Sequence, residues 1–280
     1  MADQKPFFVH EIDQGFGNTI AVKELLCDVQ SQYQHIQIYD TCELGKMLML
    51  DGIVQLTEFD EFAYQEMMTH PAMMLHPNPE KVLIIGGGDG GVAREVARHQ
   101  CVKHIDQCEI DGKVVELCRQ YIPSTACGFD DPRMHLHIGD GLKFVRECEN
   151  EYDVIIIDST DPIGPGEVLF GQEFYNSVHR ALKADGISAS QSESIYLYED
   201  IVKRLYGFTR ELFAYNGYAM ISVPTYPSGS IGVCVASKMR PVTTPLRTPS
   251  PELAAQLKYY TPEIHKAAFQ LPAFTKKWFE

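Results

Sequence analysis

Residues 82–91, VLIIGGGDGG, run from an apolar segment directly into a glycine-rich loop, and a helical pattern follows to about residue 99. A short run of apolar residues that ends in glycines is typical of a strand buried on both faces. Glycines between a strand and a helix allow a tight turn and let a ligand approach the backbone closely. The stretch therefore predicts a strand–loop–helix unit of an α/β domain, with a ligand at the loop.

The same alternation of strands and helices continues downstream. Strand patterns lie at 105–109, 134–138, 154–157 and near 187, and helical patterns lie between them at 113–121, 142–148 and 173–182. Continuous apolar strands separated by helices indicate a parallel sheet that is covered on both faces. Two later runs, 218–223 and 231–236, are expected to close this sheet as an antiparallel edge pair.

The predicted secondary structure changes near residue 60. Before it lie short β patterns at 33–39, 46–50 and 53–56, and the last two are joined by Asp51-Gly52, a strong hairpin signal. We therefore predict a small N-terminal antiparallel β domain over residues 1–60 and a Rossmann-like catalytic domain over 61–280. A helix is expected at 60–75, and Pro71 should kink or end it. The segment 241–253 is rich in proline and predicts a surface connection.

Composition restricts the class of partner. The 280 residues include 24 basic and 38 acidic ones, for a net charge of −14. Such a surface should repel nucleic acid and anionic membranes, and it suits a cationic small molecule better. No apolar run is long enough to span a membrane and the N-terminus lacks a signal peptide, so a cytoplasmic protein is expected.

The cysteines and histidines give no metal-site pattern. The 8 cysteines are scattered without a CxxC pair, which is typical of reduced core thiols in a cytosolic protein. His135 and His137 share one face of a predicted strand, but no cysteine or acid stands at a matching spacing. We therefore expect no metal.

Asp89 decides which ligand the glycine loop suits. A carboxylate there would repel a phosphate by roughly 4 kcal/mol at ~4 Å and an effective dielectric of ~20. It would attract an ammonium or sulfonium group by a similar amount. The loop therefore favours a nucleoside that carries positive charge instead of a pyrophosphate. The alternative is that Asp89 only caps the following helix.

Two more acids end the next two strands. Glu109 stands about twenty residues after the glycine loop, where an acid usually accepts hydrogen bonds from ribose hydroxyls. Asp140, followed by Gly141, is placed to meet an adenine amino group. Because strand carboxyl ends form one crevice in an open α/β sheet, the three acids together indicate an adenosine site. Separately, Glu109 has the alternative of a solvated strand end, and Asp140 that of a helix cap.

The segment 152–166, YDVIIIDSTDPIGPG, delivers Asp158 to the end of an apolar strand and Asp161 to a proline-stiffened loop. Acids without a nearby cation repel one another, which makes sense if the partner is a polycation. An amine with a pKa near 10.4 is almost wholly protonated at pH 7, so an amine nucleophile needs a base. Asp158 is our candidate base, with Asp161 on the far amine and Asp89 on the amine of the transferred chain. The alternative is a turn or helix cap.

Several motifs in this order resemble the spermidine synthase (polyamine aminopropyltransferase) family. They are GGGDGG at 86–91, CEID at 108–111, GDG at 139–141 and DSTDPIGP at 158–165. The segment 50–70, LDGIVQLTEFDEFAYQEMMTH, is similar to the family's gate between its two domains. PTYPSGSIG at 224–232 and YYTPEIHKAAFQLP at 259–272 resemble its substrate-loop strand and C-terminal segment, so the likeness covers nearly the whole chain.

The resemblance implies a β domain packed on a methyltransferase-like Rossmann domain, in homodimers or dimers of dimers. It implies transfer of an aminopropyl group from decarboxylated S-adenosylmethionine to putrescine, with no metal or other cofactor and with Asp158 as the proton acceptor. The nucleoside would contact Gln34, Gln55, Glu109, Asp140, Gly141 and Pro165. The aminopropyl and diamine chains would contact Tyr64, Gln65, Asp89, Asp158, Asp161, Gln191 and Tyr226.

Some of these positions also have purely structural interpretations. Tyr64 has the spacing of a core residue, Gln34 of an outward strand position, and Tyr226 of a turn aromatic. Many bacterial relatives have His at position 65, and the Gln65 of this chain cannot serve as a base. Trp278 is the only tryptophan, so the tryptophan that some relatives place beside the diamine is replaced here by other residues.

Two rival functions are an ordinary S-adenosylmethionine methyltransferase and an inert binding module that keeps the fold. The methyltransferase donor carries one more carboxylate, which an acidic wall at Asp89 and Asp158 should repel. The presence of Asp89, Asp158 and Asp161 argues against an inert binding module. The acceptor stays open among putrescine, cadaverine and spermidine.

Overall fold

Two sheets organise the molecule, one of five strands and one of seven. The computed structural model describes residues 7–12, 16–159, 169 and 171–279. The five-stranded sheet ends at Thr57 and the first helix begins at Glu61, so the two sheets follow one another along the chain.

The N-terminal sheet is an antiparallel meander in chain order. Its strands are β1 (Phe7–Ile12), β2 (Phe16–Gln30), β3 (His35–Thr41), β4 (Lys46–Leu50) and β5 (Ile53–Thr57). The predicted hairpin between β4 and β5 is confirmed, and Asp51 and Gly52 both have positive φ, at 49° and 81°. The pattern at 33–39 begins two residues later than expected, and β1 and β2 were not predicted.

The seven-stranded sheet has the order β11-β12-β10-β9-β6-β7-β8. Its strands are β6 (Lys81–Gly86), β7 (His104–Glu109), β8 (Met134–Ile138), β9 (Tyr152–Asp158), β10 (Leu182–Gln191), β11 (Tyr215–Ser222) and β12 (Ser230–Ser237). Strands β6 to β10 are mutually parallel, and β12 and β11 add the predicted antiparallel edge pair. The expected fold class is therefore confirmed.

Helices cover both faces of this sheet. They are α1 (Glu61–Leu75), α2 (Gly91–Ala97), α3 (Gly112–Tyr121), α4 (Pro123–Ala126), α5 (Gly141–Arg146), α6 (Gln172–Ala181), α7 (Glu199–Leu212), α8 (Pro251–Ala254) and α9 (Pro262–Ala268). Val82 and Ile84 of β6 pack with α1 and α2, whereas Leu83 and Ile85 pack towards α5 and α6. Alternate side chains of one strand thus serve two cores, as a buried parallel strand requires.

The N-terminal sheet packs against the larger domain through α3. Ile36 and Ile38 of β3 share one core cluster with Val114, Val115 and Leu117 of α3. Because α3 starts directly after Glu109, this packing places the small sheet beside the carboxyl end of β7.

The prediction that Pro71 could end the helix is wrong, because α1 continues through it to Leu75. Proline removes one helical hydrogen bond and typically costs about 3 kcal/mol inside a helix. Almost every residue of α1 is buried, and Arg247 donates from Nη2 to the Met73 carbonyl oxygen at 2.7 Å and from Nε to that of His76 at 2.8 Å. Burial of the helix offsets the loss, and Arg247 satisfies carbonyl oxygens at its carboxyl end.

The cysteine prediction needs one correction. All eight thiols are free, but Cys127 is exposed, whereas Cys108, Cys118, Cys148 and Cys234 are buried. Across the part of the chain that the structure describes, no helix has the length and apolarity needed to cross a membrane.

Candidate active site at the carboxyl edge of the sheet

The parallel strands bring the predicted acids to one edge. β6 ends at Gly86, β7 at Glu109 and β9 at Asp158, and the register pairs Gly86 with Asp158. In β10, Ser190 pairs with Ile157, so Gln191 follows beside Asp158. Residues from four separate sequence motifs therefore meet at the crevice that sequence reasoning predicted.

The glycine loop packs directly on the end of β9. Gly86 has φ +82°, and a Cβ there would lie 2.1 Å from the Asp158 carbonyl oxygen. The Gly87 N–H donates to that same oxygen at 2.9 Å. Glycine is required at position 86 because neither the backbone conformation nor the space admits a side chain. This contact fixes the loop that carries Asp89 against Asp158.

Gln107, which sequence reasoning missed, supports the loop from inside the sheet. Its side chain is fully buried in β7, and Nε2 donates to the Gly86 and Gly87 carbonyl oxygens, both at 2.8 Å. Buried carbonyls need donors, and one amide serves two of them. Its neighbours His104, Asp106 and Glu109 are also polar, so nothing in the sequence of the strand singled out Gln107.

The two carboxylate oxygens of Asp158 differ in their hydrogen bonding. Tyr64 donates its hydroxyl to Oδ1 at 2.6 Å, whereas Oδ2 is buried and has no hydrogen-bond partner among the described residues. Burial, followed by the negative charge of Asp89, raises the pKa of Asp158 to about 8. A carboxylate with a raised pKa and an unoccupied oxygen has the properties of a general base near neutral pH.

The carboxylate of Asp89 contacts the start of α2, which agrees with its interpretation as a helix-supporting residue. Its Oδ1 accepts from the Gly91 N–H at 2.7 Å, at the start of α2, and from Gln65 Nε2 at 3.0 Å. Burial raises its pKa, although these hydrogen bonds oppose the shift. The carboxylate thus supports the helix and also adds negative charge beside Asp158. Gln65 itself is buried, and its Oε1 has no partner within the described part of the chain.

The acids at this edge are not neutralised by cations. None of the ion pairs found among the described residues includes Asp89, Glu109 or Asp158. Arg94 lowers the pKa of Asp89 by its charge, but its guanidinium is already bound to Glu61 and Glu95. No cation of the described residues therefore competes with a cationic ligand for these three carboxylates, and the charge of such a ligand would favour their ionised forms.

Glu109 and Asp140 lie on the side of the crevice next to α3 and α5. Glu109 Oε1 accepts from the Asp111 N–H at 2.7 Å, and burial raises the pKa of this glutamate to about 7. Asp140 caps α5, because its Oδ1 accepts from the N–H groups of Leu142 at 2.9 Å and Lys143 at 3.2 Å. Gly141 is buried as the first residue of that helix.

Asp111, which sequence reasoning did not single out, ties the N-terminal domain to this region. Its Oδ2 accepts from Ser31 Oγ at 2.6 Å and from Gln34 Nε2 at 3.0 Å, while Oδ1 accepts from the Lys113 N–H at 3.0 Å. Gln34 is therefore directed at α3 and not outward into solvent.

Aromatic and amide groups form the opposite wall. The rings of Tyr64 and Tyr226 are tilted with centroids 5.8 Å apart, and Tyr226 donates its hydroxyl to the Gln55 carbonyl oxygen at 2.5 Å. Gln191 is buried and donates from Nε2 to Glu193 Oε1 at 3.2 Å. Glu193 was not predicted. Asp161 and Pro165 lie outside the described residues.

The site predicts an unusual dependence of stability on pH. The folded protein raises the Asp158 pKa from 3.8 to about 8, so it binds this proton more tightly than the unfolded chain does. That contribution is complete below about pH 4 and is lost as the pH rises through about 8. Relative to Asp158→Asn, we expect the wild-type Tm to fall on the order of 5 °C between pH 5 and 8.5.

Calorimetric scans across this pH range measure the difference. Asp200→Asn removes an exposed carboxyl in the first turn of α7 and should follow the wild type. Parallel curves for wild type and Asp158→Asn would contradict the raised pKa.

Comparisons with known proteins agree with this geometry. A family model described as the spermine/spermidine synthase domain matches residues 61–245, and one described as the spermidine synthase tetramerisation domain matches residues 7–58. The chain is 44% identical over 269 residues to spermidine synthase of Dictyostelium discoideum, covering 96% of this chain and 95% of the relative. It is 46% identical over 259 residues to a polyamine aminopropyltransferase of Clostridium kluyveri, covering 92% and 93%.

Solved structures agree in fold and extent. A spermidine synthase in complex with the transition-state analogue AdoDATO superposes with a TM-score of 0.93 at 41% identity, covering all of this chain and 96% of the other. The spermidine synthase of Thermotoga maritima gives a TM-score of 0.90 at 39% identity, covering 100% and 95%.

Proposed function

Because this chain belongs to the spermidine synthase family and is an aminopropyltransferase, we propose that it transfers the aminopropyl group of decarboxylated S-adenosylmethionine to putrescine. The products are spermidine and 5′-methylthioadenosine. The observation that carries the proposal is the pair Asp89 and Asp158, which lie beside one another, are partly buried, and pair with no cation among the described residues.

The reaction is a direct displacement. The lone pair of the putrescine nitrogen attacks the aminopropyl carbon attached to the sulfonium. The new C–N bond forms as the C–S bond breaks, and the bonding electrons of C–S remain on sulfur. Asp158 Oδ2 accepts the proton that the amine must lose, and the Tyr64 hydroxyl holds Oδ1 in place at 2.6 Å. Alignment of the reactants and the negative pocket supply most of the remaining rate enhancement.

The other predicted residues have binding roles in this proposal. Asp89 holds the amine of the transferred chain, and Asp161 holds the far, still protonated amine of the diamine. The remaining diamine and aminopropyl contacts are Tyr64, Gln65, Gln191 and Tyr226. The nucleoside contacts are Gln34, Gln55, Glu109, Asp140, Gly141 and Pro165. Substitution by an amine at a sulfonium centre needs no metal or redox group, so we propose no cofactor.

Assembly and location complete the proposal. One face of the N-terminal sheet packs on α3, and residues 7–58 match a tetramerisation domain, which supports a homodimer or a dimer of dimers. We place the protein in the cytoplasm, which suits its acidic composition and its free thiols.

The direct test is product analysis with decarboxylated S-adenosylmethionine and equal concentrations of putrescine, cadaverine and spermidine. We expect one methylthioadenosine for each aminopropylated amine, and the largest kcat/KM with putrescine. Absence of methylthioadenosine with all three acceptors would overturn the proposed function. A larger kcat/KM with another amine would correct only the acceptor.

A further prediction separates the two roles of Asp140. Asp140→Ser keeps an oxygen that can cap α5, whereas Asp140→Ala removes the cap and should cost about 1 kcal/mol of stability. If the carboxylate also binds the adenine amino group, both variants should raise the KM for the donor by about tenfold. Unchanged donor KM in Asp140→Ser would leave the residue as a cap alone.

A further inference from the structure

Asp60, between β5 and α1, is almost completely buried, with 3% of its surface exposed. Its Oδ1 accepts from the hydroxyls of Thr57 at 2.7 Å and Thr225 at 2.9 Å, and its Oδ2 accepts from the Thr225 N–H at 2.8 Å. No ion pair among the described residues includes this carboxylate. A buried carboxylate that is satisfied only by neutral donors is costly to keep, and its partners here are specific.

The two segments that Asp60 joins are 165 residues apart, and both carry walls of the proposed amine pocket. The segment from β5 into α1 carries Tyr64, and the turn after β11 carries Thr225 and Tyr226. Besides the Asp60 contacts, Asn18 Nδ2 donates to the Thr225 carbonyl oxygen at 3.0 Å. Both backbone polar groups of Thr225 and its hydroxyl are thus held, which leaves this residue little freedom.

Tyr226 follows Thr225 directly and depends on this anchor. Its hydroxyl reaches the Gln55 carbonyl oxygen at 2.5 Å, and its ring lies 5.8 Å from that of Tyr64, whose hydroxyl binds Asp158. A contiguous set of contacts therefore runs from Asp60 through Thr225 and the two tyrosines to the proposed base.

We propose that Asp60 is a positioning residue for the amine acceptor: by fixing Thr225 it places the Tyr226 ring against Tyr64 and so shapes the acceptor side of the pocket. The inference rests on the proposed function for the identity of the acceptor. Asp60 does not touch the reacting atoms. It acts through Tyr226, and its loss should affect the amine more than the nucleoside.

Asp60→Asn is the informative change because it keeps the shape of the side chain. The neutral amide leaves two arrangements: either its nitrogen faces the Thr225 N–H, or the amide flips and the hydroxyls of Thr57 and Thr225 must accept instead of donate. Loss of this charge-assisted bond should lower kcat/KM for putrescine by about tenfold, with the KM for the donor changed by less than about twofold.

The test is a double-mutant cycle with Tyr226→Ala. If Asp60 acts through Tyr226, Asp60→Asn should cause no further loss of kcat/KM for putrescine in the Tyr226→Ala background. Thr209→Val is the control. Thr209 is buried, and among the described residues its hydroxyl bonds to α7, Asn216 and Cys234, so its loss should leave kcat/KM unchanged in both backgrounds. Losses that multiply in the Asp60 cycle overturn the proposal.

Hydrogen exchange supplies a readout that does not depend on turnover. Asp60→Asn should speed exchange of the amides at 223–229 by about tenfold, with the α7 amides unchanged. If the wild type is inactive with all three amines, the proposed function fails, and hydrogen exchange still tests whether Asp60 fixes the segment 223–229. Unchanged exchange at 223–229 would overturn the positioning role whatever the substrate.

Discussion

Asp158→Asn is expected to lower kcat by about 10³-fold or more while binding of methylthioadenosine persists. The asparagine can still accept from the Tyr64 hydroxyl, so the pocket keeps its shape. Its amide cannot take a proton from the amine, and general-base catalysis contributes about 10²–10⁴-fold in enzymes. Steady-state kinetics with decarboxylated S-adenosylmethionine and putrescine, beside calorimetric titration of methylthioadenosine, measure the two effects separately.

The matched control for this variant is Asp185→Asn, another half-buried aspartate, located near the amino end of the sheet beside His76. It should keep wild-type turnover. Turnover of Asp158→Asn within about tenfold of the wild type would contradict the base assignment. Loss of both turnover and nucleoside binding would instead indicate a collapsed pocket.

Asp89→Asn is expected to produce the second largest loss, about 10²-fold or more in kcat/KM for the decarboxylated donor. The variant oxygen can still accept from Gly91 and Gln65, so the start of α2 is preserved. What disappears is the attraction for the donor's ammonium, roughly 4 kcal/mol for a pair of charges ~4 Å apart at an effective dielectric of ~20.

The same variant should shift the pH profile. The charge of Asp89 raises the pKa of Asp158, so its removal should move the rise of kcat/KM with pH to a value below about 8. A pH–rate series on wild type and Asp89→Asn measures this shift. Asp200→Asn, in the first turn of α7, is the control with an equal change in net charge. An unchanged or higher kinetic pKa in Asp89→Asn would contradict the electrostatic coupling between the two acids.

Much of this site was predictable because it follows from the order of the strands and from the glycine and acidic residues that end them. Parallel strands that end in Gly86, Glu109 and Asp158 must bring those residues to one edge of the sheet, since parallel strands share their carboxyl ends. The alternation of strands and helices likewise predicted both the parallel sheet and its antiparallel edge pair.

The supporting residues were harder to find because their roles depend on contacts between distant segments. Gln107 lies in a buried strand, and only the fold shows that its amide faces the carbonyls of the glycine loop. Asp60 and Asp111 resemble ordinary helix-start acids in the sequence, yet they join segments 165 and 77 residues away. Local periodicity carries no information on such pairs.

Other misses have energetic reasons. Pro71 breaks a rule that holds for exposed helices, and burial of nearly all of α1 overrides it. Asp140 was weighed as either a cap or a ligand group, and the structure shows the cap, which does not exclude a second use of the same carboxylate.

The proposed function requires that the carboxylates of Asp89 and Asp158, which pair with no cation among the described residues, select a doubly cationic pair of reactants. The most direct measurement compares kcat/KM for decarboxylated and ordinary S-adenosylmethionine on the wild type with putrescine, with products identified by mass. We predict aminopropyl transfer from the decarboxylated donor, and at least about 10²-fold weaker use of the carboxylated one. Comparable use of both donors, or methyl transfer from the ordinary one, would contradict the account.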